Sequence, residues 1–114
     1  MADQTLFEQI INRDIPATIV YEDEHCIAFN DINPQAPVHV LLVPKQCIDR
    51  IANAQKDDQR LLGHLMLKAG EIAETLGIKD HFRLVINNGE DVGQTVFHLH
   101  IHILGGRPMS WPPG

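Results

Sequence analysis

The sequence predicts an α+β fold, an antiparallel five-stranded sheet with two helices. Two segments repeat apolar residues with a helical period, five others are short β-type runs, and mostly short turns join them. At 114 residues the chain is long enough for one compact core. We therefore expect a single domain over residues 1–114, with the helices on one face of the sheet.

Two segments have the apolar spacing of amphipathic helices. Residues 5–13 form the first and end before Pro16. Residues 57–76 form the second, and Gly77 stands where a helix typically ends. The apolar stripe of the long helix consists of Leu61, Leu62, Leu65, Met66, Ala69, Ile72, Ala73 and Leu76. We expect this stripe to pack on the sheet.

The predicted strands are short runs rich in apolar and β-branched residues. They cover residues 18–21, 26–30, 38–44, 82–87 and 97–104. The third run is apolar except for His39, which places it inside the sheet rather than at an edge. Residues 88–95 form a polar turn with glycines, and residues 107–114 contain too many prolines for regular structure.

The charge balance excludes one broad class of function. The chain has 15 acidic and 9 basic residues, a net charge of −6, with no Lys/Arg cluster. A nucleic-acid surface requires a positive field, so only a small anion is compatible. We expect no signal peptide and no membrane span. Cys26 and Cys47 lie in no paired motif, which indicates reduced thiols in a cytoplasmic protein.

The most informative segment contains His98, His100 and His102. In a strand, alternate side chains share a face, so the three imidazoles are predicted on one side. The opposite, core-facing side is predicted to consist of Phe97, Leu99, Ile101 and Ile103. A solvated face is normally built from residues such as Thr, Lys or Glu, so the histidines indicate chemistry.

Two kinds of chemistry are open at this point. A zinc site is one, but the outer two histidines lie about 13 Å apart along a strand, and only His39 is an obvious further ligand. Nucleophilic catalysis by a neutral imidazole is the other. The neighbouring turn, residues 93–95 (GQT), could then cradle an anionic group with its backbone N–H groups.

The histidine segment resembles the His-φ-His-φ-His-φ-φ signature of the histidine triad (HIT) superfamily. Residues 29–39 (FNDINPQAPVH) and 93–98 (GQTVFH) are similar to two further segments of that family. The ending, residues 104–114 (LGGRPMSWPPG), resembles the Hint branch, the purine nucleoside phosphoramidases. The resemblance implies a HIT-like fold over nearly the whole chain.

The resemblance also implies an activity and the residues that perform it. The activity is hydrolysis of purine nucleoside 5′-phosphoramidates at the P–N bond, and of aminoacyl adenylates with an acid as product, through a nucleotidyl-histidine intermediate. His100 matches the nucleophile, His102 the group at the phosphate oxygens, and His98 the residue that orients the triad. His39 matches a fourth histidine of the proton network. Thr95 completes the catalytic set, at a position where many relatives have serine.

Binding residues are implied in the same way, for a purine nucleotide of the AMP or GMP type. Asp31 matches a carboxylate that accepts hydrogen bonds from the ribose hydroxyls. Asn87 and the turn residues Gly93 and Gln94 match family residues on the side of the phosphate and leaving group. The apolar slot for the base matches Phe7, Ile10, Ile15, Phe29 and Ile32. No metal and no other cofactor is expected.

The resemblance to this branch also implies a homodimer in which one sheet continues across both subunits. Here the long helix and the tail with Trp111 are expected to supply the contact, because a lone tryptophan in a proline-rich tail favours burial at an interface. Two alternatives to the enzyme are a nucleotide-binding interaction protein with incidental hydrolysis and a zinc-binding protein.

Overall fold

The computed structural model describes residues 4–114. Its helices are α1 (Leu6–Ile11) and α2 (Gln59–Thr75). Its strands are β1 (Ile19–Glu22), β2 (Cys26–Asn30), β3 (Val38–Pro44), β4 (Phe82–Val85) and β5 (Ile101–Gly105). Short 3₁₀ turns occupy Ile51–Asn53, Lys56–Asp58 and Glu90–Val92. None of the helices in this described part of the chain combines the length and apolarity needed to cross a membrane.

The five strands form one antiparallel sheet in the order β1-β2-β3-β5-β4. This confirms the predicted α+β architecture and the interior position of β3. The register pairs His39 with Leu104 and Leu41 with His102. Because His39 and Leu41 are two residues apart on β3, the side chains of His39 and His102 share one face of the sheet.

The two helices cover opposite faces of the sheet, so the expectation of helices on one face was wrong. The α2 residues Leu65, Ala69, Ile72 and Ala73 pack with Cys26, Ala28, Val40, Leu42, Ile101 and Ile103. The α1 residues Phe7 and Ile10 pack with Ile27, Phe29, Leu41 and Val43. The physical reason is visible in β2 and β3, which are apolar at consecutive positions over residues 26–29 and 40–43. Both faces of these strands therefore need a cover.

The last strand begins later than its sequence pattern predicts. Residues 97–100 precede β5, and the backbone N–H of Leu99 donates to the carbonyl of Ile48, outside the sheet, at 2.6 Å. Leu99, like Ile101 and Ile103, is buried as expected, but Phe97 is 39% exposed, so its predicted core position was wrong. The chain therefore crosses from a loop contact into the sheet within the histidine segment.

The remaining boundaries differ from prediction only at element ends. The first helix stops at Ile11, because Asn12 caps it and Arg13 adopts a positive φ of 64°. A 3₁₀ turn replaces the first residues predicted for the long helix, and β4 ends at Val85 rather than at residue 87. These shifts leave the sheet order and the position of the histidines unchanged.

Candidate active site

The four predicted histidines lie on the α1 side of the sheet. The ring centroids of His100 and His102 are 5.1 Å apart, and those of His39 and His102 are 5.2 Å apart. The Phe7 ring of α1 meets His100 edge-on, with the centroids 4.9 Å apart. The expected convergence of His39, His98, His100 and His102 is therefore what the fold produces, although His98 and His100 precede β5.

His98 is fully buried and held by hydrogen bonds at both ring nitrogens. Its Nε2 lies 2.7 Å from the carbonyl oxygen of Pro44, which can only accept, so Nε2 carries the proton. Its Nδ1 lies 3.0 Å from the Thr5 hydroxyl and accepts from it. Burial lowers the pKa of His98, although the Pro44 carbonyl acts in the opposite direction. The ring is thus a neutral imidazole in one assigned tautomer.

His100 has the opposite tautomer. Its Nδ1 lies 2.7 Å from the backbone carbonyl of His98 and must donate to it. In the neutral ring the proton is on Nδ1, and Nε2 retains a lone pair. Burial lowers the pKa of His100 below its ordinary value of 6.5, while the His98 carbonyl and the Asp31 carboxylate oppose the shift. His100 therefore offers a basic nitrogen at neutral pH.

His39 and His102 form a directed pair. The backbone N–H of Gln35 donates to His39 Nδ1 at 3.0 Å, so the proton of a neutral His39 is on Nε2. That Nε2 lies 2.9 Å from His102 Nδ1 and 3.4 Å from the Asp31 carboxylate. Donation to His102 leaves the proton of His102 on its own Nε2. Burial, together with His100 and His39, lowers the pKa of His102 from 6.5 to about 4.

The turn at residues 93–95 is less open than predicted. The backbone N–H of Gly93 donates to Glu90 at 3.0 Å, and that of Gln94 donates to Gly89 at 3.1 Å. Within residues 4–114, Thr95 makes neither a backbone nor a side-chain hydrogen bond, and it is exposed. The backbone N–H groups of Gly93 and Gln94 are therefore already engaged within the protein. The donors that remain are those of Thr95.

The side chain of Gln94 is a structural tether. It is 1% exposed, its Oε1 accepts from Gly89, and its Nε2 donates to the carbonyls of Asp49 and Val96. Gln94 therefore fixes the shape of the turn, because its amide groups are occupied within the protein.

Gly93 lies beside the side chain of Asn87. Gly93 has a left-handed backbone, with φ of 107°. A Cβ on Gly93 would lie 3.7 Å from Asn87 Nδ2. The fold thus brings Asn87 to the turn that contains Gly93.

Asp31 follows β2 and already has two partners. Its Oδ1 accepts from the backbone N–H of Asn33 at 2.8 Å, and its Oδ2 lies 3.4 Å from His39 Nε2. Each carboxylate oxygen has two acceptor positions, so the group keeps capacity for a pair of hydroxyls.

The residues predicted for the base slot divide into two groups. Phe7, Ile10 and Phe29 are buried together in the core on the α1 side, and Ile15 packs against them half-buried. Ile32, in contrast, is 97% exposed on the loop after β2. The structure therefore joins four of the five predicted apolar residues and leaves Ile32 apart from them.

A concave region lies away from the histidines, at the β4 edge of the sheet. It is a groove of about 990 Å³ between residues 77–83 and 106–109. Trp111, in the tail that follows the groove, is 81% exposed. None of the four site histidines lines this groove.

Three clusters among the described residues bring metal-ligating atoms within 4.8 Å of one another. They are Glu8, Cys47 and His98; Asp23, Cys26 and His64; and Asp31, His39 and His102. In each cluster, at least one of the atoms that could bind a metal already takes part in a hydrogen bond within the protein. The Asp23 carboxylate, for example, accepts from two backbone N–H groups, the Tyr21 hydroxyl and His64. We therefore assign no metal to these clusters.

Sequence reasoning missed the groups that hold the histidine rings. Thr5 and the Pro44 carbonyl fix His98, and the backbone of Gln35 fixes His39. The pattern Thr5-x-x-Glu8 is a capping-box signal and predicts the start of α1. It carries no signal for a contact with a residue 93 positions away.

Comparison with known proteins agrees with this geometry. The HIT domain matches residues 12–109, and the chain belongs to the HIT family. It is 67% identical to an uncharacterized HIT-like protein of Synechocystis, across the full length of both chains. It is 47% identical to a 14 kDa zinc-binding protein of Zea mays, covering 96% of this chain and 88% of that one.

A solved structure of similar shape comes from Legionella pneumophila and is described as a HIT family hydrolase. It superposes with a TM-score of 0.95 and 45% identity, covering 97% of this chain and 100% of that one. This similarity supports a hydrolase.

Proposed function

We propose that the protein hydrolyses the P–N bond of purine nucleoside 5′-phosphoramidates, as the Hint branch of the family does. The observation that carries the proposal is the state of His100. Its Nδ1 proton is held by the His98 carbonyl, and burial keeps the ring neutral, so Nε2 is a free nucleophile. Phosphoryl transfer requires mainly positioning and charge stabilisation, which four fixed imidazoles and a polar turn can supply.

The first step is attack of His100 Nε2 on the α-phosphorus. A P–N bond to the imidazole forms, the P–N bond to the leaving amine breaks, and the amine leaves with a proton taken from solvent, which the later hydrolysis step returns. The nucleotidyl-imidazole is cationic, and the carbonyl of His98 stabilises it through the Nδ1–H. Water then attacks the same phosphorus, releases the nucleoside monophosphate and restores neutral His100. Aminoacyl adenylates fit the same scheme, with a carboxylic acid as leaving group.

His102 supplies a hydrogen-bond donor next to the nucleophile. His39 donates to His102 Nδ1, so His102 presents Nε2–H to a phosphate oxygen or to the departing amine. Its pKa of about 4 keeps it neutral at pH 7, and the donor is therefore an uncharged imidazole. Gln35 holds His39 in the tautomer that this direction requires.

The nucleotide is proposed to lie between the loop after β2 and the turn at residues 93–95. Asp31 would accept from the ribose hydroxyls, and Thr95 and Asn87 would contact the phosphate. The apolar residues Phe7, Ile10, Ile15 and Phe29 would flank the base. A slot of apolar side chains offers few hydrogen bonds to the edge of the base, so we expect both adenine and guanine nucleotides to be accepted.

The active form is proposed to be a homodimer with a sheet that continues across both copies. The strand β4 lies at the sheet edge, and an edge strand presents backbone groups that another strand can pair. The exposed Trp111 supplies a large aromatic surface for the same contact. Light scattering should give twice the chain mass; a species of 12.8 kDa at micromolar concentration contradicts the dimer.

The test of function is steady-state hydrolysis of adenosine 5′-phosphoramidate by the wild type, His100→Ala and His25→Ala. His25 is exposed and outside the site, so its variant is the matched control. We expect His100→Ala to lose at least about a thousandfold in kcat while AMP binding, measured by calorimetry, persists. Wild-type binding of AMP without turnover would instead favour the interaction-protein alternative.

A further inference from the structure

Thr5 links the start of α1 to the histidine network. As the N-cap of α1, its hydroxyl oxygen accepts from the backbone N–H of Glu8 at 3.0 Å. The same oxygen lies 3.0 Å from His98 Nδ1. A hydroxyl has one proton and two acceptor positions, so it can accept from Glu8 and donate to His98 at once. Both of these roles are compatible with a single Thr5 conformation.

The hydrogen bond from the Thr5 hydroxyl is the second of two bonds that fix the His98 tautomer. The Pro44 carbonyl at 2.7 Å requires a proton on Nε2, so Nδ1 of the neutral ring needs a donor. His98 is fully buried, which makes an unpaired ring nitrogen costly. The Thr5 hydroxyl is the donor at this position.

His98 passes this constraint to His100 through its own backbone. The carbonyl of His98 accepts the Nδ1 proton of His100 at 2.7 Å, and this bond leaves Nε2 of His100 free. A His98 ring that rotated to find another partner for Nδ1 would shift the backbone of the same residue, and the orientation of the nucleophile would change with this carbonyl. Catalysis is sensitive to small displacements of a reacting group.

We infer that Thr5 is a positioning residue for His100, acting through the tautomer of His98. The inference rests on the proposed phosphoramidase function, because it assigns His100 as the group that is positioned. The competing explanation is that Thr5 only caps α1. Substitutions that keep the cap but change the donor separate the two explanations.

Three substitutions make this separation. Thr5→Ser keeps both the cap and the donor. Thr5→Asp keeps a strong helix cap, but its carboxylate cannot donate and instead attracts a proton onto His98 Nδ1. Thr5→Val removes both roles. Thr75→Val is the matched control, because among residues 4–114 the Thr75 hydroxyl bonds only to the Glu71 carbonyl of its own helix, at 3.2 Å.

The first measurement is the ¹⁵N spectrum of the His98 imidazole, which reports the tautomer without any substrate. We expect the Nε2–H form in the wild type, Thr5→Ser and Thr75→Val. In Thr5→Asp we expect a proton on Nδ1. An unchanged His98 spectrum in Thr5→Asp, with circular dichroism showing an intact fold, would overturn the inference.

The second measurement is kcat and KM for adenosine 5′-phosphoramidate. We expect Thr5→Asp to lose about tenfold to a hundredfold in kcat with little change in KM, and Thr5→Ser to restore turnover. Wild-type kcat in Thr5→Asp would also overturn the inference. If the wild type shows no hydrolysis, the proposed function fails, and the ¹⁵N spectra still decide whether Thr5 sets the state of His98.

Discussion

Acid should destabilise the protein through His102. Its pKa is lowered from 6.5 to about 4 in the folded state, mainly by burial. Between these two values the unfolded chain binds a proton that the native protein does not, so the free energy of unfolding falls as the pH is lowered. At about 1.4 kcal/mol per pKa unit, the loss from pH 7 to pH 4 is roughly 3 kcal/mol. Below pH 4 this contribution changes no further.

The perturbation that isolates this effect is His102→Gln, whose amide oxygen can still accept from His39 Nε2. Urea unfolding followed by circular dichroism at pH 7 and pH 4 gives the acid-induced loss for each protein. We expect the loss in His102→Gln to be smaller than in the wild type by roughly 3 kcal/mol. His25→Gln, at an exposed position, should lose as much as the wild type. Equal losses in His102→Gln and the wild type would contradict a lowered pKa of His102 in the folded protein.

Three further predictions follow from the same structure. Because burial lowers the pKa of His100, kcat/KM should fall on the acid side with a midpoint below pH 6.5, and a midpoint above that value contradicts a buried nucleophile. In Gly105→Ala the new Cβ would lie 2.7 Å from Ile78 Cδ1, so the free energy of unfolding in urea should fall by about 1–3 kcal/mol. Gly63→Ala is the control, because a Cβ there meets open space and should cost no stability. Equal stabilities of the two variants would contradict the packing at Gly105. Prolonged chelation should leave hydrolysis unchanged, and activity that EDTA removes and zinc restores would favour the zinc alternative.

Sequence patterns predicted the central strands correctly because a short run of consecutive apolar residues is typical of a strand inside a sheet. The runs at β2 and β3 lack polar alternation, and both strands lie inside the sheet with the predicted bounds. The same absence of alternation implies cover on both faces, which the expectation of helices on one face did not take into account. The beginning of β5 was missed because alternation continues through residues 97–100, while the backbone there bonds to Ile48.

The grouping of His98, His100 and His102 followed from their spacing and that of His39 from the family resemblance, but the chemical states of these rings followed from neither. Which nitrogen of His98 or His100 carries the proton depends on the Pro44 and His98 carbonyls, contacts that only the fold creates. Gln94 illustrates the converse case. Its position in the turn predicted substrate contact, yet the oxygen and nitrogen of its amide are hydrogen-bonded within the protein. Local pattern thus predicts which residues gather, and tertiary contacts decide what each can still bind.

The central claim is that His100 becomes covalently nucleotidylated during turnover. Rapid acid-free quenching of wild-type protein with adenosine 5′-phosphoramidate, followed by mass spectrometry of the peptide containing residues 98–102, tests it directly. We expect one adenylyl group, located on His100 and absent from His100→Ala. Turnover at the wild-type rate in His100→Ala, or an adenylyl group on His98 or His102 instead, would contradict it.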